Sequence, residues 1–252
     1  YEKFYQANVI ATQNIITACL ENNIKRLVYI STPSIYADYT DKFSIQENSI
    51  LPEVFINNYA KTKKIAEDLI QQAFCKKKLP VITLRPRGLF GPYDQTIMPR
   101  IIRAGVEGRV PLINNGEALL DITYIDNVVD AIILAMNADN KYLGNVYNIT
   151  NGEPVKLIEL LTKIFKRLDI RLKTIKLPFL ASYYYAYLLE IISKLKFGKP
   201  EPRLTRYSVA VLGCSQTLDI TAARRDLGYI PRITISEGID RYVDWFKTHK
   251  DC

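Results

Sequence analysis

Apolar residues at the start of the chain recur at helical spacing. Phe4, Tyr5, Val9, Thr12, Ile15, Ile16, Cys19 and Leu20 predict a helix over about residues 2–22. The short apolar run Leu27-Val28-Tyr29-Ile30 follows and opens into Ser31-Thr32-Pro33-Ser34, the pattern of a buried parallel strand ending in a polar loop. Residues 37–56 mix polar and apolar positions around Pro52 and read as loop. A second helix is predicted from about Asn58 to Lys76, with Ile65, Leu69, Ile70 and Phe74 on one face. Pro80 then introduces the strand-like Val81-Ile82-Thr83-Leu84, followed by Arg85-Pro86 and a glycine-containing loop. This alternation of helix and strand predicts an α/β protein built on a doubly wound parallel sheet.

Further along, the spacing predicts a helix over Met98 to Glu107, a turn at Asn114-Asn115-Gly116 and a strand at Asp121–Ile125. Asp126 is placed to cap the helix that continues to about Asn137. Past Asn145 the units shorten: a strand at Val146–Ile149, a turn at Asn151-Gly152, a helix near 156–168 and a strand at Leu172–Leu177. Short helices begin at Thr221, ending at Gly228, and at Ser236. The Tyr-rich stretch Phe179–Ile192 is too short to span a bilayer and contains Glu190. It reads either as a cap helix or as a helix lying against a membrane or a lipid-like substrate. The expected division is a sheet domain over 1–150 and a smaller C-terminal α/β cap over 151–252, with segments of the latter returning to the sheet.

Composition narrows the chemistry. With 252 residues, 48% of them hydrophobic and including 17 Tyr and 9 Phe, the chain can bury a core and is not disordered. Its one histidine, His249, lies three residues from the end, so neither a His-dependent triad nor a His-ligated metal is expected. Cys19, Cys75, Cys214 and Cys252 show no metal-ligand spacing and read as free thiols. A net charge of +8 favours anionic partners without choosing among them. The basic clusters Lys76–Lys78 and Lys194–Arg206 lack interleaved stacking aromatics, so no nucleic-acid partner is expected.

Tyr59 and Lys63 stand four apart on a predicted helix and so point the same way. A nearby ammonium stabilises a phenolate, and such a pair can move a proton to or from a carbonyl or hydroxyl. The same spacing also fits a solvated helix face. Ser31 and Thr32 lie at the carboxyl edge of a buried strand, where open α/β sheets place their ligands. A hydroxyl there can bind the same substrate oxygen, giving a carbonyl-reduction site that needs neither His nor metal.

Several segments in this order carry a family resemblance. They are Asn8–Asn14, Val28–Thr32, Tyr59-Ala60-Lys61-Thr62-Lys63, Leu84–Pro92, Asp121–Val128 and Asp226–Pro231. The chain resembles the extended short-chain dehydrogenase/reductases of the epimerase/dehydratase superfamily, in their 3β-hydroxysteroid dehydrogenase-like branch. The stretch from Arg85 to Arg109 and Asn151-Gly152-Glu153-Pro154 look most like 2-alkyl-3-oxoalkanoate reductases, with sterol dehydrogenases the near neighbour, so the implied substrate is an oxoalkanoate or sterol-like. The resemblance implies a Rossmann-like sheet, NAD or NADP as cofactor and a hydrophobic 3-oxo or 3-hydroxy substrate. It makes Tyr59 the general acid, Lys63 its pKa-lowering partner and ribose ligand, and Thr32, rather than Ser31, the carbonyl-orienting hydroxyl. Asn8 takes a structural or proton-relay role. Ser31 and the loop Pro86, Arg87, Gly88 and Leu89 join Tyr59 and Lys63 at the cofactor, and Asp121 and Asp126 brace loops. A homodimer paired through the helices at 2–22 and 58–76 is expected by the same resemblance, while the free thiols point to a cytoplasmic setting and the Phe179–Ile192 stretch to an optional peripheral membrane contact.

One family feature is missing. The glycine-rich turn that brings a pyrophosphate to a helix N-terminus has no counterpart, since the first glycine is Gly88 and the chain begins at Tyr1. The expectation is that the N-terminal strands of the Rossmann sheet lie upstream, in a longer natural protein, and that this chain binds dinucleotide poorly. The Tyr–Lys pair equally fits a sugar-nucleotide epimerase or dehydratase. A dinucleotide-sensing scaffold without turnover is the non-enzymatic reading.

Overall fold

The computed structural model describes residues 1–108, 110–195, 202 and 204–249. Arg109, Cys252 and residues 196–201 and 203 of the basic stretch named above lie outside them. The chain opens with α1 (Glu2–Phe4), a π-helical segment (Tyr5–Ile10) and α2 (Ala11–Glu21), followed by β1 (Leu27–Ile30). A 3-10 turn (Pro33–Tyr36) and β2 (Lys42–Ile45) precede α3 (Asn58–Lys77), β3 (Val81–Pro86) and β4 (Leu89–Phe90). Next come α4 (Met98–Glu107), β5 (Val110–Ile113), β6 (Leu119–Leu120), β7 (Thr123–Tyr124) and α5 (Ile125–Asn137). β8 (Val146–Ile149), β9 (Val155–Lys156), α6 (Leu157–Arg167), β10 (Thr174–Leu177) and α7 (Phe179–Leu195) follow. The chain closes through α8 (Arg206–Gly213), β11 (Gln216–Leu218), α9 (Thr221–Leu227) and α10 (Ile235–Thr248).

β1, β3 and β8 form a parallel sheet in that order, with Leu27 opposite Val81 and Thr83 opposite Val146. β3 is buried along its whole length, as a central strand covered on both faces must be. On one face α2 and α3 bring Ile16, Ile70 and Ala73 against Leu79 and Val81. On the other, α5 and α9 bring Ala131, Ala135, Ala223 and Leu227 against Ile82, Leu84 and Tyr147. Helices on both faces of parallel strands make this the doubly wound arrangement predicted from the alternation.

A second body of structure sits beyond the carboxyl ends of these strands. β5 pairs in parallel with β10, and Val110, Leu112, Leu120, Leu157, Leu161 and Phe165 share one core. β11 lies between β2 and β6, tying residues 42–45 to the chain near 216–218. The loop expected over 37–56 therefore contains a strand. It escapes pattern reading because it is four residues long, with Ser44 at a positive φ of 49° and a register shift against β11.

Two local expectations need correction. The first helix is not uniform: its Tyr5–Ile10 turn is π-helical. Asp126 does not cap α5, whose N-cap is Tyr124 without a side-chain cap. Asn151 satisfies that terminus instead, its Oδ1 accepting from the Tyr124 N–H at 3.0 Å and from Asn127 Nδ2 at 2.9 Å. Asp126 pairs with Arg241 at 3.2 Å.

Candidate active site

The chain reverses at the carboxyl end of β1, where Ser31 and Thr32 are both buried. Thr32 caps the 3-10 turn that follows, its Oγ1 accepting from the Ser34 N–H at 3.2 Å. The Thr32 hydroxyl also donates to Ser34 Oγ at 3.1 Å, and Ser34 Oγ meets the Tyr207 hydroxyl of α8 at 3.3 Å. Tyr207, which sequence reasoning missed, thus connects α8 to the strand-end hydroxyls. Only its side-chain chemistry could have signalled it, because nothing in its local pattern does.

α3 begins at Asn57, whose Oδ1 accepts from the Ala60 N–H at 2.8 Å and so fixes the first turn, where Tyr59 sits. The same face of α3 carries Tyr59, Lys63 and Glu67 at successive turns. Burial pushes the Tyr59 phenol above its ordinary pKa; the adjacent Thr32 hydroxyl works the other way and Tyr207 adds to the rise. Lys63 Nζ donates to the Ile30 carbonyl at 2.8 Å and to the Tyr29 hydroxyl at 3.2 Å, and lies 4.7 Å from the Tyr29 ring centre. Burial lowers the Lys63 pKa, opposed by the charge of Glu67. The ammonium is thus bound to β1 rather than set against Tyr59, and the phenol is raised rather than lowered.

Glu67 is the anchor of this face. Its carboxylate is gripped by the Arg85 guanidinium through Nε at 3.0 Å and through Nη2, and both side chains are almost fully buried. Burial alone would raise the Glu67 pKa, but the Arg85 hydrogen bonds and charge outweigh it and hold the carboxyl below its usual value. Arg85 also donates to the Tyr36 hydroxyl and, at 3.0 Å, to the Glu47 carbonyl. This pair escaped the sequence reading, although Arg85 ends an otherwise apolar strand and Glu67 falls on the inward helix face.

The other predicted positions gather around this centre. Asn8, inside the π-helical turn, donates from Nδ2 to Thr62 Oγ1 at 2.9 Å, and Thr62 Oγ1 in turn bonds the Asn58 and Tyr59 carbonyls at 2.8 and 3.1 Å. Asn8 therefore braces the turn that carries Tyr59 and does not reach the phenol through these bonds. Pro86, Arg87, Gly88 and Leu89 form the loop beyond β3, held by Arg87 N–H to Ile149 O at 3.1 Å and by Thr123 N–H to Gly88 O at 3.0 Å. Gly88 has φ +55°, and a side chain there would press on Asp121 and Ile122 at 3.1 Å, so the turn requires glycine. The Arg87 guanidinium bonds Gln216 Oε1 through Nη1, while its buried Nε has no protein partner. Burial lowers the Arg87 pKa to about 10, opposed by Asp121. Asp121 braces β11, accepting from the Leu218 N–H at 2.7 Å, and burial pushes its carboxyl up to about 6.

A phenol, a buried hydroxyl and an ammonium at the carboxyl end of a parallel strand can polarise and protonate a carbonyl oxygen. Lys63 uses two protein acceptors and has a third N–H for a ribose hydroxyl, so the residues fit a nicotinamide dinucleotide. Residues 1–179 match the 3-beta hydroxysteroid dehydrogenase/isomerase family. The chain belongs to this family. It is 34% identical over 253 residues to the 3beta-hydroxysteroid-dehydrogenase/decarboxylase isoform 2 of Arabidopsis thaliana, covering 96% of this chain and 45% of that protein. It is 35% identical over 246 residues to the 2-alkyl-3-oxoalkanoate reductase of Stenotrophomonas maltophilia, covering 96% of this chain and 74% of the relative. Among solved structures, UDP-glucuronic acid 4-epimerase from Bacillus cereus in complex with NAD superposes with a TM-score of 0.73 at 20% identity, over 96% of this chain and 67% of that one. That likeness carries the fold, and the dehydrogenase family shares its Rossmann-like sheet. Against the plant relative, the chain spans under half the length.

Proposed function

We propose that this chain carries the proton-transfer half of an NAD(P)-dependent oxidoreductase that interconverts a carbonyl and a secondary alcohol on a hydrophobic 3-oxo or 3-hydroxy acid. The observation that carries the reading is the convergence of Thr32, Tyr59 and Lys63 beyond the end of β1. Bound NAD or NADP supplies or accepts the hydride. Tyr59, kept protonated by burial, donates its proton to the carbonyl oxygen as reduction proceeds, and Thr32 holds that oxygen by a hydrogen bond. Lys63 holds the ribose, and the loop from Pro86 to Leu89 packs beside the nicotinamide, with Ser31 at its margin. Asn8 keeps the Tyr59 turn in place. One relative's name speaks of an oxoalkanoate, a carboxylate, and the other's of a decarboxylase. The Arg87 Nε is a buried donor suited to such a carboxylate. In this reading residues 1–150 provide mainly the dinucleotide half and residues 151–252 mainly the substrate cap, and two copies pair through α2 and α3.

The test is NADH and NADPH oxidation with a 2-alkyl-3-oxoalkanoate and, separately, with a UDP-sugar. Reduction of the oxo acid, lowered about 10²- to 10⁴-fold by Tyr59→Phe, is expected. Full turnover in Tyr59→Phe, or conversion of the UDP-sugar alone, overturns the reading.

A further inference from the structure

The Thr32 hydroxyl is one member of a longer row. β1 runs into Thr32-Pro33-Ser34, and the Thr32 cap of the 3-10 turn folds its Oγ1 back over Ser34. Thr32 Oγ1 lies 3.1 Å from Ser34 Oγ, and Ser34 Oγ lies 3.3 Å from the Tyr207 hydroxyl, 173 residues further along the chain. At the other end Thr32 stands against the Tyr59 phenol, whose ionised form it favours by a hydrogen bond. Tyr59, Thr32, Ser34 and Tyr207 thus place their hydroxyls one after another. A hydroxyl both donates and accepts, so such a row can hand a proton from oxygen to oxygen. Burial falls along it: Thr32 is 6% exposed, whereas Ser34 and Tyr207 are half-buried. Tyr207 sits in the first turn of α8, which Thr205 fixes by accepting from the Ser208 N–H at 3.1 Å.

Lys63 and Asn8 lead elsewhere. Lys63 places its bonds on the Ile30 carbonyl and the Tyr29 hydroxyl. Asn8 ends on Thr62, whose hydroxyl donates to main-chain carbonyls, and a carbonyl cannot hand a proton on. Carbonyl reduction leaves Tyr59 as a phenolate, which must regain a proton before the next turnover. We propose that the proton returns along Tyr207, Ser34 and Thr32, so that Ser34 and Tyr207 are positioning residues acting through Thr32. The inference rests on the carbonyl-reducing reading above. Once the alcohol has left, Thr32 gives its proton to the Tyr59 oxygen and takes that of Ser34. Ser34 takes that of Tyr207, and Tyr207 takes one from water at the half-buried end. Each O–H bond broken at one oxygen is remade from the next, so one solvent proton is consumed per carbonyl reduced. Alcohol oxidation runs the row in reverse. The cap helix α8 therefore supplies the last hydroxyl of a path that begins at the sheet.

The test is the oxoalkanoate reduction assay run in water and in deuterium oxide on Tyr207→Phe, Ser34→Ala, Ser34→Thr and the double variant Ser34→Ala/Tyr207→Phe. kcat should fall about tenfold in Tyr207→Phe and in Ser34→Ala, short of the roughly 10²- to 10⁴-fold expected of Tyr59→Phe, because water partly replaces a missing link. KM should hold, the solvent isotope effect on kcat should rise, and imidazole buffer should restore turnover. Ser34→Thr keeps a hydroxyl and should recover most of the kcat that Ser34→Ala loses. The double variant should be no slower than either single one, since both break the same path. Full turnover in Tyr59→Phe would remove the reading and the path together. With Tyr59→Phe impaired, three results overturn the path alone. One is an unchanged kcat in both Tyr207→Phe and Ser34→Ala. Another is a raised KM with kcat kept, which marks a substrate contact. The third is a loss of kcat that imidazole does not restore and that leaves the isotope effect as it was, which marks a structural role.

Discussion

Replacing Glu67 with Gln tests whether the Glu67–Arg85 pair holds α3 onto the sheet. Both side chains are almost fully buried, and the carboxylate takes two charge-assisted hydrogen bonds from one guanidinium. Glutamine keeps one acceptor but leaves Arg85 as a buried cation without a counter-charge. Breaking a buried pair from one side costs about 3–5 kcal/mol, and the retained hydrogen bond places Glu67→Gln near the lower end. The double variant Glu67→Met/Arg85→Met removes both charges together and should cost far less, within about 1 kcal/mol of the wild type. Denaturant unfolding at neutral pH measures both. The pH dependence supplies a second reading. Because the folded Glu67 carboxyl titrates below its unfolded value, its stabilisation is fully present above the ordinary glutamate range and is lost as pH falls through the lowered value. The variant should lose that part of the acid sensitivity. A cost below about 1 kcal/mol for Glu67→Gln, or a double variant no better than the single, would refute the reasoning.

Two further outcomes follow from buried contacts elsewhere. Asp121 titrates near 6 when folded against 3.8 in its ordinary state, so its contribution is whole below 3.8 and lost as pH rises through about 6. That shift is worth about 3 kcal/mol, and Asp121→Asn should flatten the stability profile between pH 4 and 7, read by unfolding at the two ends. Gly105→Ala should gain about 1 kcal/mol of helix propensity. It would also drive a Cβ to 1.9 Å from the Phe165 ring, which is itself fully buried. Overpacking of about 1–3 kcal/mol should outweigh the gain, giving a lower thermal midpoint that Phe165→Leu partly restores.

The doubly wound core was legible because its strands are short, continuous apolar runs and its helices carry regular stripes. Tyr59 and Lys63 were legible for the same reason, since helical spacing alone puts them on one face. The π-helical turn at Tyr5–Ile10 was not, because one extra residue in a turn leaves the apolar spacing almost unchanged. β2 and β11 were missed because three- and four-residue strands paired across about 170 positions have no local alternation to read. Glu67 and Arg85 lie 18 residues apart and become partners only when α3 lies across β3. Asn151, just past β8, takes the place expected of Asp126 at the start of α5 by a contact across 27 residues, while Asp126 turns to Arg241, and neither partner is legible from local spacing.

The inward face of α3 solves a problem that bears directly on Tyr59. Three polar side chains at successive turns must lie against an apolar sheet, and each buried charge needs a partner. Glu67 finds one in Arg85, and its residual field keeps the Lys63 ammonium charged against the pull of burial. Lys63 spends its hydrogen bonds on the Ile30 carbonyl and Tyr29 hydroxyl. Tyr59 is left beside a neutral hydroxyl, Thr32, and a second phenol, Tyr207, with no cation strong enough to ionise it. A buried phenol so placed stays protonated through neutral pH, which is the state a proton donor to a nascent alkoxide must start from. The counter-charges that stabilise the helix thereby also set the protonation of the one group on that face that is free to react.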